Sequence, residues 1–150
     1  MKLQTDLREF VGLLNSRGVE FVIVGGHAVA FHGYPRFTGD IDVLIRPTLD
    51  NAARVIAVLH EFGFGDLGLD APALVEPDKV IQLGRPPNRI DLLTSVSGLD
   101  FDEAWGDRVQ GELDGLPVWF PSRDALLKNK RAAGRAKDLA DVAALDPEQA

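Results

Sequence analysis

Leu3, Leu7, Phe10, Val11 and Leu14 recur at the spacing of one helix face, and Gly18 stops the pattern. Phe21-Val22-Ile23-Val24 is a short apolar run ending in Gly25-Gly26, which predicts a buried strand followed by a sharp turn. Ala28 to His32 reads as a short helix after that turn, ended by Gly33-Tyr34-Pro35. From Asp40 to Ile45 the chain alternates, with Ile41, Val43 and Ile45 on one face and Asp40 and Asp42 on the other, which predicts a strand. Thr48 is placed to cap a helix whose apolar stripe is Leu49, Ala52, Ile56, Leu59 and Phe62. Gly65 to Pro77 shows no period and reads as loop, with room for one helical turn.

The second half of the chain is shorter in its elements. Val80 to Leu83 and Arg89 to Leu93 predict two strands of a hairpin joined by Gly84-Arg85-Pro86-Pro87-Asn88. Phe101 to Trp105 is a short helix, and Val109 and Val118 flank a second hairpin turn at Asp114-Gly115. Ser122 caps a basic helix running to about Ala133, and Lys137 to Leu145 makes a last one. Helix, strand, helix, strand, helix, then strands, then helices predicts an α/β (α+β) fold with a small mixed sheet and a helical C-terminus. We expect a single domain over residues 1–150, with a core of about 19–120 and C-terminal helices at about 122–146.

Composition narrows the chemistry. The 150 residues contain no Cys, which excludes disulfides, thiolate metal sites and a cysteine nucleophile. No run of 18 apolar residues suggests a membrane span, and Asp6 and Glu9 interrupt what would be the apolar stretch of a signal peptide, so a cytoplasmic location is expected. The formal charge of −7 argues against general nucleic-acid coating. That charge is uneven. Residues 123–137 carry six cations and the single anion Asp124, so a net +5 segment sits on a remainder of −12. Such a segment asks for an anionic partner or forms a solvated helix face.

Two Asp-x-Asp triplets are present. Asp100 and Asp102 precede a short helix, where acids are at home for structural reasons. Asp40 and Asp42 stand on one face of a strand whose other face is apolar, where two like charges raise each other's pKa unless a cation lies between them. Hard oxygen ligands on a rigid strand suit Mg²⁺. Asp91, on the strand Arg89-Ile90-Asp91-Leu92-Leu93, completes a three-acid cluster if its strand lies beside the first. Three carboxylates can hold two divalent ions in the arrangement used for in-line phosphoryl and nucleotidyl transfer. Gly25-Gly26, between a strand and a helix, lets backbone amides approach a phosphate, although neither a dinucleotide fingerprint nor a P-loop follows. Among the histidines, His27 follows the glycine turn and is the best functional candidate; His32 and His60 read as structural.

Taken together, Val24-Gly25-Gly26-His27-Ala28-Val29, Arg36-Phe37-Thr38-Gly39-Asp40-Ile41-Asp42 and the later Asp91 strand resemble the nucleotidyltransferase superfamily that includes polymerase beta. Within it the chain is most similar to small bacterial members, including AbiEii-type toxins. The tail Asn129-Lys130-Arg131-Ala132-Ala133-Gly134-Arg135-Ala136-Lys137-Asp138-Leu139-Ala140-Asp141 shares that likeness, which spans roughly residues 20–145. The resemblance implies a nucleotidyltransferase-like fold and transfer of a nucleoside monophosphate from a nucleoside triphosphate. Asp40, Asp42 and Asp91 would bind two Mg²⁺ ions, and Asp91 would help deprotonate the attacking hydroxyl. Gly25, Gly26, Thr38 and Lys130 would hold the nucleotide, with Arg36 near it. Many relatives carry Ser where this chain has Gly26. Arg135, Lys137, Asp138 and Asp141 read equally as site residues and as an ion-pair network pinning the last helix. The chain is short for a dedicated small-molecule domain, so the expected acceptor is RNA or a partner protein, with an antitoxin as companion. The alternative is a non-catalytic module that binds nucleotide or a partner.

Overall fold

The computed structural model describes residues 5–35, 39–64, 68–85 and 88–146. Helix α1 (Thr5–Ser16) buries Leu7, Phe10, Val11 and Leu14, the stripe expected from its spacing, and Gly18 leaves it at φ +69°. Strand β1 (Phe21–Val24) is buried throughout and runs directly into helix α2 (Gly25–Phe31). The two glycines are therefore the first turn of that helix and not a loop ahead of it. Strand β2 (Ile41–Ile45) follows, one residue shorter than predicted, because Asp40 lies in the bend before it. Helix α3 (Leu49–Glu61) is capped by Thr48, whose side chain accepts from the Asn51 amide. A 3₁₀ turn at Ala71–Leu74 supplies a helical turn within the long loop.

Strands β3 (Val80–Arg85) and β4 (Asn88–Leu93) form the expected hairpin. Helix α4 (Phe101–Gly106) starts with a capping box between Asp100 and Glu103. This is the structural use expected of the second acid pair. Strands β5 (Val109–Leu113) and β6 (Leu116–Phe120) make a separate two-stranded sheet. Helices α5 (Arg123–Ala133) and α6 (Ala136–Leu145) close the described chain, with Gly134 at φ +66° turning one into the other.

The main sheet has the order β1-β2-β4-β3. Neighbours β1 and β2 are antiparallel, β2 and β4 parallel, and β4 and β3 antiparallel, so the sheet is mixed as expected. Alternation along β2 sends Ile41, Val43 and Ile45 into a core with Phe10, Leu14, Val55, Val58 and Leu59 of α1 and α3. Leu44, with Val22 and Val24, packs on the opposite side against Phe101 and Ala104 of α4. Asp42 belongs to this second side of β2, near the strand's beginning and clear of the apolar packing. Among the described residues no helix is long and apolar enough to cross a membrane.

Candidate active site

Register places the site. Val24 stands opposite Asp42 across β1 and β2, Asp42 beside Asp91 across β2 and β4, and Asp91 opposite Gln82 across β4 and β3. The parallel pairing of β2 with β4 thus makes neighbours of two acids 49 positions apart. Asp40 joins from the bend before β2. The strand acid Asp91 is buried, which reverses the usual preference of a carboxylate between Ile and Leu.

Gly25 completes the corner. Its φ is +67°, and a Cβ on it would stand 2.1 Å from Asp42 Oδ2. Glycine is required there twice, for the left-handed backbone and for the space its missing side chain leaves to the carboxylate. The first amides of α2 start at this corner, and no side chain caps them.

A cleft of about 460 Å³ opens beside these groups, lined by Val24, Gly25 and Asp42 on one side and by Asn129, Lys130, Arg135, Lys137 and Asp138 on the other. Burial pushes the Asp42 carboxyl up to about 6; the charges of Asp91 and then Asp40 add to this, against weaker pulls from Lys137 and Lys130. Burial also lowers the His27 imidazole, while its hydrogen bond to the Asp40 backbone works the other way. The buried His27 ring is thus tied to the backbone at Asp40, next to the acid cluster.

A cation does lie among the acids, but it is a side chain, and it joins Asp40 to Asp91 instead of standing between Asp40 and Asp42. Arg89 Nη2 donates to Asp40 Oδ2 at 2.8 Å and to Asp91 Oδ2 at 3.2 Å, while Nε lies 2.9 Å from Asp91 Oδ1. One nitrogen bonding both oxygens holds Asp40 and Asp91 in a single cluster. The sequence carried a signal for this: Arg89 and Asp91, two apart on a strand, project from one face. Hard carboxylate oxygens suit Mg²⁺ in kind, and Asp40, Asp42 and Asp91 are the residues that would hold it. Among the described residues, however, no group of three or more acids or histidines is arranged as a finished metal cage.

Lys130 departs from its expected part. It lies on α5 and lines the cleft, but it is buried, with Nζ 3.3 Å from Asp138 Oδ1 and 3.2 Å from Asp141 Oδ2. Its ammonium is paired with two acids of α6, and its charge still reaches Asp42 across the cleft. Arg135 secures Asp138 from the other side at 2.6 Å. Burial acts to raise the Asp138 carboxyl, but the hydrogen bonds from Arg135 and Lys130 outweigh it and leave the group below the usual carboxylate range. The ion-pair reading of this tail is the one the geometry bears out for Arg135, Asp138 and Asp141.

The basic segment is mostly neutralised in the same way. Lys128 pairs with Glu103, Arg131 with Asp146 at 3.2 Å, and Arg123 meets Asp146 at 3.9 Å. Lys137 is different: it is exposed, lines the cleft, and forms no ion pair among the described residues. Sequence reasoning gave it no more weight than its neighbours. Thr38 and Arg36, expected near the nucleotide, lie outside the described residues.

The same arrangement of elements occurs in solved structures. A candidate nucleotidyltransferase from Thermotoga maritima superposes with a TM-score of 0.62 at 15% identity, covering 95% of this chain and 91% of its own. The antibiotic-resistance factor ANT(2'')-Ia, in solution, gives 0.61 at 14% identity over 97% of this chain and 83% of that one. The lincosamide antibiotic adenylyltransferase LnuA gives 0.55 at 15% identity, covering 97% and 98%. At these identities the likeness is one of fold. No curated protein matches the sequence. A family model does: the pattern of family DUF6036, described as a nucleotidyltransferase of unknown function, fits residues 1–146, and the chain belongs to that nucleotidyltransferase family.

Proposed function

We propose that the cleft transfers a nucleoside monophosphate from a nucleoside triphosphate to an acceptor hydroxyl. The observation that carries this reading is Gly25 against Asp42, with Asp91 beside Asp42 in the sheet, where Gly25 and Asp42 line a cleft whose far wall presents Lys137. In this reading the amides of Gly25 and Gly26 hold phosphate oxygens, and Lys137 adds a mobile positive charge. Asp40, Asp42 and Asp91 would hold Mg²⁺, which would offset the charge of the transferring phosphoryl group. Asp91 takes the proton of the acceptor hydroxyl. The acceptor oxygen forms a bond to the α-phosphorus, the bond from that phosphorus to the bridging oxygen breaks, and pyrophosphate leaves.

The acceptor we favour is RNA or a partner protein, as for the toxin of a toxin–antitoxin pair. A second reading, a small hydroxylated molecule, gains support from LnuA, an antibiotic adenylyltransferase of nearly the same length. Short length therefore does not exclude a small-molecule acceptor. The protein, incubated with each α-labelled triphosphate and Mg²⁺, should label one of three fractions: RNA, protein or small molecules. The Asp42→Asn variant should label none. Triphosphate binding without transfer to any fraction would leave a non-catalytic binding module.

A further inference from the structure

Asp40 and Asp91 already share a cation. The guanidinium of Arg89 donates from one nitrogen to both carboxylates and brings a second nitrogen against Asp91. Its side chain is 25% exposed, so the fork is held largely inside the cluster and not out in solvent. The arrangement follows from the strands: Arg89 and Asp91 share a face of β4, and Asp40 enters from the bend leading into β2, the parallel neighbour of β4. Of the three clustered carboxylates, two are drawn onto the guanidinium, and among the described residues no group of acids forms a metal cage.

We propose that Arg89 is the resident counter-ion of the acid cluster, holding in the nucleotide-free protein the carboxylate oxygens that a divalent metal takes, so that guanidinium and metal compete. This rests on the reading of the cleft as a nucleotidyl-transfer site. Competition means that a divalent ion alone binds weakly. A metal–triphosphate complex binds better, because its phosphates give the released guanidinium a new bidentate partner. Arg89 is then a positioning residue that couples metal entry to nucleotide entry and keeps the acids assembled between turnovers.

The test is titration of the full chain with Mn²⁺, followed by the loss of the free-ion paramagnetic signal, with and without a non-hydrolysable triphosphate. Arg89→Gln should bind Mn²⁺ alone about tenfold more tightly than the wild type, the scale expected for losing a competing charge-assisted hydrogen bond. Arg85→Gln removes a charge from an exposed site on the same hairpin and should change the affinity less than about twofold, as for a screened surface charge. Arg89→Lys keeps the charge without the fork and should fall between. Equal or weaker Mn²⁺ binding by Arg89→Gln, or equal tightening by Arg85→Gln, would overturn the proposal. If circular dichroism shows Arg89→Gln unfolded, Arg89→Lys decides: tighter binding than wild type supports competition, and unchanged binding refutes it. Wild-type Mn²⁺ binding with triphosphate, but no tightening in the variants, overturns the role of Arg89 alone. No Mn²⁺ binding with triphosphate in any folded form overturns the nucleotidyl-transfer reading as well.

Discussion

Asp42 shows how one residue carries the strain of the cluster. It lies partly buried beside Asp91 and Asp40, while Arg89 is engaged by those two. Its carboxyl is raised to about 6 from 3.8, so folding binds its proton more tightly than the unfolded chain does. The stabilisation this gives is fully present below the unfolded value and is lost as pH rises through about 6. Wild-type stability should therefore fall between pH 4 and pH 7 by a contribution that Asp42→Asn removes. At pH 7.5 and without metal, Asp42→Asn should be the more stable protein, by about 1–3 kcal/mol from the size of the shift. Urea melts of both proteins across this pH range measure the crossing. A loss of several kcal/mol in the variant at pH 7.5 would make Asp42 a structural residue.

At the level of elements, the α5–α6 hairpin joins apolar packing of Leu126, Leu127, Val142 and Leu145 to a buried set of charges. Lys130, Asp138 and Asp141 are all buried, and the ammonium on α5 meets both carboxylates of α6. Lys130→Ala takes from two buried acids the ammonium that stands 3.3 Å and 3.2 Å from them. That should cost about 3–5 kcal/mol, the usual penalty for removing one partner of a buried pair. Lys128→Ala, which breaks an exposed contact with Glu103, should leave the denaturation midpoint almost unchanged. Asp138 adds a pH signature of the opposite sign to that of Asp42. Its lowered carboxyl gives stability that is present above the ordinary carboxylate range and lost as pH falls through the folded value. In acid the hairpin should loosen before the sheet does, which amide hydrogen exchange resolves by element.

Across the whole molecule, the six cations of residues 123–137 do not form a free basic track for a polyanion. Five of them turn to the protein's own acids, and Lys137 lines the cleft without an ion pair among the described residues. Lys137→Ala should weaken binding of a triphosphate by roughly 10- to 150-fold, equivalent to about 1.5–3 kcal/mol for a charged hydrogen bond, with no change in melting temperature of the free protein. Isothermal titration with Mg²⁺ and each triphosphate measures the loss. Equal losses from Lys137→Ala and Lys128→Ala would indicate diffuse attraction instead of a contact. Saturating magnesium and triphosphate should also raise the wild-type stability, by about 2.7 kcal/mol at one hundred times the dissociation constant. The same addition should do nothing for Asp42→Asn.

The elements themselves were written locally. Apolar spacing, Thr48 and Ser122 as caps, the Asp100–Glu103 box and the glycines at 18 and 134 act over a few residues, so reading the chain recovers them. The acids of the site could be named for a related reason: charged side chains at alternate positions of an otherwise apolar strand are conspicuous in one dimension. Pairing is not a local property. That β2 and β4 run parallel, bringing Asp42 beside Asp91, depends on the packing of both sheet faces. The fates of the cations are less local still. Lys130 and Lys137 are of one type in one basic segment, and both line the cleft. One is buried between two carboxylates and the other is left exposed, because the left-handed turn at Gly134 sets the angle at which α6 returns along α5. Arg89 reads as an ordinary strand residue until the bend before β2 brings Asp40 within 2.8 Å of it. Residue type fixes which charges exist, but Coulomb energy falls with distance and burial, and those two quantities belong to the folded chain.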